Sequence, residues 1–190
     1  MADLTAARPV GRFLHDRLGG SPSAARYYNE DESVSVVIVT LTDVPVPDWA
    51  VFSTTGLSQV PNLLEGDDIR VELLACAGAD DDAMRNVLAT CAFNVASSGW
   101  LAAPGVVFRD VVTEYLPDAT VPHVMWTEPF FTDGLSTVTI PDVGTIHWLQ
   151  GVPLTDREVD YLERHGFDEL EARLAGASAE YFDLWRESVC

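Results

Sequence analysis

Trp49-Ala50-Val51-Phe52-Ser53-Thr54-Thr55-Gly56-Leu57-Ser58 is followed, after a short acidic stretch, by Ile69-Arg70-Val71-Glu72-Leu73. The first is an aromatic and β-branched run closed by a glycine. The second alternates apolar and charged positions, then continues through Leu74, Ala75 and Cys76. Both patterns predict strands, because a pleated backbone favours branched side chains and alternation sends apolar residues to one face. Upstream, Ser33-Val34-Ser35-Val36 runs into Val37-Ile38-Val39, a strand half exposed at one end and buried at the other, and Val44-Pro45-Val46-Pro47 breaks it.

Further along, β-rich passages occupy Gly105–Val112 and Val121–Phe131. A pair of strands at Leu135–Ile140 and Thr145–Val152 is separated by Pro141-Asp142-Val143-Gly144. Ile146-His147-Trp148-Leu149 is apolar on both alternations, which predicts a strand central in its sheet. Helices surround these strands. Val10, Phe13, Leu14 and Leu18 fall at helical spacing between Pro9 and Gly19-Gly20, and residues 19–32 read as a loop. Asp80–Ser97 is the clearest helix, with Met84, Val87, Leu88, Cys91 and Val95 on one face. Thr155-Asp156-Arg157-Glu158 has the form of a capping box, and its helix ends at His165-Gly166. Asp168–Leu174 and Ser178–Val189 predict two more helices, the last reaching the C-terminus.

Strands grouped centrally, with helices at both ends and one inserted, predict an α+β fold. Its expected form is a central mixed, largely antiparallel sheet with helices at its ends and on its faces. At 190 residues, with 47% apolar and 22% charged residues, the chain is expected to be one domain over 1–190 with a buried core and residues 1–8 frayed.

Eleven basic residues stand against thirty acidic ones, a net charge of −19, and the sequence pI is about 4.2. Every basic residue is arginine. Without lysine there is neither Schiff-base chemistry nor a P-loop. A field of this sign repels phosphate backbones and anionic bilayers, so no nucleic-acid or membrane partner is expected. It favours fast association with a basic protein partner, although acidity also serves solubility. Three cysteines without CxxC spacing, and an N-terminus lacking a basic start and apolar run, predict a reduced, cytoplasmic protein.

Common catalytic and metal-binding arrangements are missing from the sequence, and no cofactor or metal is expected. His15, His123, His147 and His165 are far apart. A lone histidine such as His147 on a central strand is read as a hydrogen-bonded core residue. Asp80, Asp81 and Asp82 at a helix start complement the helix dipole, and they are equally candidate contacts for a basic partner. Glu65, Asp67 and Asp68, with Glu72, extend the negative surface, and their spacing does not suit a calcium loop. Five tryptophans read as packing anchors, any exposed one being a candidate binding hot spot. An enzymatic alternative is a hydrolase using Glu72 or Glu128 with His123.

Three segments in order resemble one family. An aromatic strand ends in Ser53-Thr54-Thr55-Gly56-Leu57-Ser58 and is followed by Arg70-Val71-Glu72-Leu73-Leu74. The strand His147-Trp148-Leu149-Gln150-Gly151-Val152-Pro153-Leu154-Thr155 then leads into Glu158–Gly166 and on to Leu170. Over roughly residues 30–175 this order and spacing is similar to the suppressor-of-fused (SUFU-like) domain, of the short single-domain bacterial type. The resemblance implies a non-enzymatic protein-binding module with no catalytic residues. Animal members sequester a transcription factor, and short bacterial relatives are associated with toxin immunity. The expected function is an immunity-type protein that occludes a basic cognate toxin, the alternative being an intracellular adaptor with another partner.

Overall fold

In the computed structural model, which describes residues 7–132, 134–177 and 181–190, the β-branched runs pair into one mixed sheet. In chain order the elements are α1 (Ala7–Leu18), β1 (Ser21–Tyr28), β2 (Ser35–Thr42), β3 (Trp49–Thr55), β4 (Leu63–Leu64), β5 (Asp67–Asp68), β6 (Val71–Gly78), α2 (Asp82–Ser98), β7 (Val107–Phe108), β8 (His123–Thr127), β9 (Thr137–Ile140), β10 (Gly144–Leu154), α3 (Asp156–His165) and α4 (Phe167–Gly176). A 3-10 turn at Leu57–Gln59 follows β3.

The strand order is β1-β2-β3-β6-β10-β8-β7, with β9 also on β10 and β4–β5 a separate hairpin. Only β6 and β10 run parallel, with Glu72 opposite Trp148. The other pairs are antiparallel. This is the mixed, mostly antiparallel α+β fold the sequence predicts. β10 bonds to β6, β8 and β9, the central position that its two apolar faces require.

Alternation sorts the core into two layers. Ile38, Phe52, Leu73, Trp126 and Leu149 pack under α2 with Met84, Val87, Leu88 and Cys91. Val39, Leu41, Leu74, Trp148 and Ile146 face the other way, against Val10 and Leu14 of α1. On that second side, Met125, Val152 and Leu154 meet Val159, Leu170 and Leu174 of α3 and α4. Each fully buried side chain of this size contributes about 1.5–3 kcal/mol of transfer free energy. At Gly151 a Cβ would lie 2.9 Å from Val124 Cγ1 and 3.2 Å from Trp126 Cζ3, so the residue must be glycine for β8 and β10 to approach this closely.

Two expectations are overturned. The segment read as a loop over residues 19–32 holds β1, which pairs with β2 at all eight positions, Ser21 opposite Thr42 through Tyr28 opposite Ser35. Seven of its residues are exposed, so no apolar alternation marks it, and Pro22 is tolerated because β1 is an edge strand. The helix expected over Ser178–Val189 is absent from the described residues 181–190, which run as turns and irregular chain. Residues 178–180 of that prediction lie outside the described residues. The backbone there is held by a tertiary anchor, Glu158 with Arg186, instead of by a helical ladder.

Smaller differences follow from burial. The β-rich passages narrow to Val107–Phe108 and His123–Thr127, and the pair at the sheet centre becomes Thr137–Ile140 and Gly144–Leu154. Trp126 and Trp148 are buried anchors, while Trp100 and Trp185 are exposed. Cys76 and Cys91 are buried thiols, and burial pushes Cys76 up to about 12, which makes it inert. No helix among the described residues is long and apolar enough to cross a membrane.

Candidate partner-binding surface

The buried ionisable groups that the sequence offers for chemistry, Glu72 and His123, are occupied in holding the fold. Glu72, expected on the negative surface, is fully buried. The Thr54 hydroxyl (2.6 Å), the Gly56 N–H (2.7 Å), the Leu57 N–H (3.2 Å), the Ser58 N–H (3.1 Å) and the Ser58 hydroxyl (2.7 Å) all donate to its carboxylate. Gly56, at φ 106°, supplies the left-handed turn that aims three successive N–H groups at one side chain. Burial pushes the Glu72 carboxyl up, and the hydrogen bonds from Thr54, Ser58 and Gly56 oppose that shift. The Ser-Thr-Thr-Gly-Leu-Ser and Val-Glu-Leu segments are therefore one structural device, a carboxylate standing in for the capping side chain of the 3-10 turn.

Glu158 is a second such device. It closes the expected capping box, accepting from the Thr155 N–H at 2.9 Å while Thr155 Oγ1 accepts from the Glu158 N–H at 3.2 Å. It also holds Arg186 in a bidentate pair, Nη1 to Oε1 at 2.6 Å and Nη2 to Oε2 at 2.8 Å, and accepts from the Val189 N–H. Arg186 Nη2 donates to the Pro153 carbonyl as well. Burial pushes the Glu158 carboxyl up, but hydrogen bonds from Arg186, Val189 and Thr155 and the guanidinium charge outweigh it, so the group sits below its ordinary value.

His123 is buried, its Nδ1 accepting from the Asp110 N–H at 2.9 Å and its Nε2 lying 3.0 Å from Asp156 Oδ1. It ties the loop before β8 to the start of α3. His147 Nδ1 lies 3.0 Å from Thr137 Oγ1, a β9–β10 cross-strand contact, so it is hydrogen-bonded as expected but half-buried at the sheet surface and not a core residue. The hydrolase constellation is not assembled. Glu72 is opposite Trp148 and His123 opposite Leu154, six residues apart along β10 or about 20 Å. Glu128 is exposed just past β8. No cluster of metal-ligating side chains occurs among the described residues.

The acidic candidates separate into two patches. Glu65, Asp67 and Asp68 sit on the β4–β5 hairpin with exposed Leu63, and Asp68 pairs with Arg70 at 2.6 Å. Asp80, Asp81 and Asp82 lie beyond the opposite end of β6, eight residues or about 25 Å away. Asp82 pairs with Arg85 in the first turn of α2. Asp81 occupies the N-cap position without a capping hydrogen bond, and burial holds its carboxyl above the ordinary value.

A more concentrated site was not legible in the sequence. An open groove of about 610 Å³ runs between the C-terminal half of α2, the β1–β2 turn and the chain around Glu114, lined by Tyr28, Glu30, Asp31, Phe93, Glu114 and Tyr115 among others. Three carboxylates border it and no arginine does. The α2 C-terminus adds its partial negative charge. Tyr115 OH and Thr90 Oγ1 are 2.6 Å apart, which fixes one wall. Asn29 fixes the other, accepting from the Val34 N–H and donating to Ser33 Oγ. Hydrogen bonds from the Ser33 hydroxyl and N–H hold Asp31 below the usual carboxylate range, keeping it charged. Tyr28 and Tyr115 are 55% and 39% exposed, aromatic surface of the kind that anchors protein interfaces. These contributors are scattered over more than eighty positions of sequence, and no local motif joins them.

The mixed sheet carries one helix behind and three in front, and its buried Glu72, Glu158 and His123 are taken up in hydrogen bonds. The chain belongs to the Suppressor of fused protein (SUFU) family, whose pattern matches residues 30–187 and so extends past 175 to include Arg186. It is 30% identical over 182 residues to the Immunity protein YqcF of Bacillus subtilis (strain 168), covering 95% of each chain. A SUFU homologue from Neisseria gonorrhoeae has the same fold, with a TM-score of 0.79 at 14% identity, covering 99% of this chain and 98% of that one. A chain of the Sufu–Fu complex superposes with a TM-score of 0.68 at 13% identity, over 97% and 92% of the two chains.

Proposed function

We propose that this protein is an immunity-type binding module, without catalytic activity, that covers the working surface of a basic cognate toxin in the cytoplasm. The observation that carries the reading is the similarity, over 95% of both chains, to a protein named an immunity protein. The structure adds a plausible means. The groove bordered by Glu30, Asp31 and Glu114 presents charge and tyrosines on rigid elements, so a basic segment meets a preformed surface and little ordering entropy is lost. Asp80, Asp81 and Asp82 lie at the opposite end of α2 from the groove and attract the partner at longer range. Glu65, Asp67 and Asp68 on the hairpin form a separate patch beyond the other end of β6, which only a large partner would reach as well.

The test is a screen of the reading frames that flank this chain's gene for one whose product is basic and toxic, followed by co-expression with it. Growth is expected to be restored by the wild-type chain and by an E65K/D67K variant, and lost with E30K/D31K/E114K. Rescue by all three alike removes the groove from the account, and failure of the wild type removes the immunity reading.

A further inference from the structure

Arginine is scarce here, and most of it is paired. Arg70, Arg85, Arg109, Arg164 and Arg186 each meet a carboxylate, and Arg173 lies over the Tyr161 ring. Arg8, Arg12 and Arg26 are exposed, and none makes an ion pair or hydrogen bond with a described residue. All three line one groove of about 720 Å³ between α1 and the β1–β3 end of the sheet, and among the described residues no Asp or Glu lines it.

The fold builds this groove specifically. Arg8 and Arg12 are one helical turn apart and share an edge of α1, where like charges repel. Gly11 faces the floor directly, a Cβ there lying in ordinary contact at 3.4 Å from Val39 Cγ2 and 3.7 Å from Thr55 Cγ2. Ala24 pairs with Val39, and Arg26 with Val37, which in turn pairs with Thr55. Cross-strand partners share a face, so these side chains form a single floor, aliphatic with one arginine at its border. It lies on the sheet side opposite α2 and its acidic groove.

We propose that this groove docks an extended acidic segment of a protein partner. Three guanidiniums with no carboxylate beside them among the described residues call for negative charge. A volume of about 720 Å³ is far more than a single oxyanion fills. Its floor is aliphatic and holds no aromatic ring on which a nucleobase could stack, which favours peptide over single-stranded nucleic acid. β1 ends the sheet, and its outer backbone groups are unpaired among the described residues, so an extended chain can hydrogen-bond along it. The net charge of −19 does not oppose this at contact, because screening confines the repulsion to about 8 Å at physiological ionic strength. The inference stands apart from the toxin reading, which concerns the other side of the sheet.

The experiment is fluorescence anisotropy of the full chain with a labelled ten-residue peptide of alternating Glu and Val. Saturable binding is expected, at least about tenfold weaker for R8E/R12E/R26E and for wild type at 300 mM against 50 mM salt. It should stay within about threefold for R8K/R12K/R26K, which keeps the charge. Thermal unfolding checks that each variant folds, and the single variant R26E, expected to bind at least about threefold more weakly, serves if the triple reversal does not. Absence of saturable binding, equal binding by the charge-reversed chain, equal binding of a Lys-Val peptide, or tighter binding of a ten-nucleotide oligothymidylate overturns the proposal.

Discussion

Five donors converge on the two oxygens of Glu72, a residue with no exposed surface. Alanine there strands three backbone N–H groups and two hydroxyls, each costing about 1–3 kcal/mol when left unsatisfied, so Glu72→Ala is expected to lose at least about 3 kcal/mol in urea unfolding. Glu72→Gln is expected to fall nearly as far, because its NH2 group would face donors. An exposed acidic residue such as Glu65 should change by less than about 0.5 kcal/mol when replaced by glutamine. Alternation in Arg-Val-Glu-Leu placed the strand correctly and the carboxylate wrongly. Period two says which face a side chain takes, while burial depends on what covers that face, here a turn fourteen to eighteen residues upstream. Gly151 is a converse case: the sequence shows a glycine inside a strand, and only the Val124 and Trp126 contacts show why. Gly151→Ala is expected to cost about 1–3 kcal/mol by overpacking, measured the same way.

Among the elements, the irregular tail and β1 are where local pattern and tertiary structure part. Tyr181, Phe182 and Trp185 have helical spacing, but the tail is anchored by one ion pair and its backbone follows that anchor. Arg186→Ala leaves Glu158 buried without its counter-charge and is expected to cost about 3–5 kcal/mol. The pair also carries a pH dependence. Glu158 is held below its ordinary value in the folded chain, so its stabilisation is present above the unfolded value of about 4.5 and lost as pH falls through the lower folded value. Acid titration followed by tryptophan emission, with Trp185 one residue from Arg186, is expected to show a transition below pH 4.5 that is absent in the Glu158→Gln, Arg186→Met double variant. A transition unchanged in that variant would dissociate the tail from this pair. The capping box at Thr155 was legible because both partners lie within four residues, whereas Arg186 is twenty-eight residues from Glu158. β1 was illegible for the same reason that makes it an edge: with one neighbour and exposed side chains, it needs no apolar face.

For the whole molecule, charge was legible in amount and not in arrangement. Most strands and the central place of β10 could be read from runs whose apolar pattern is long and periodic, and the family from the order of three segments. The acidic candidates chosen from sequence clusters, in contrast, occupy two ends of β6, and the groove with three carboxylates draws on the β1–β2 turn, α2 and the chain after β7. Surface electrostatics is set by which loops meet, and a cluster in sequence is only one way to build it. The central claim is that binding uses a rigid anionic face. Titration calorimetry of the chain with the toxin that it neutralises in the co-expression screen, across salt concentrations, tests it most directly. The account predicts one-to-one binding that weakens at least about tenfold between 50 and 500 mM salt and weakens further in E30K/D31K/E114K at unchanged folding stability. Affinity indifferent to salt and to those three reversals would contradict it.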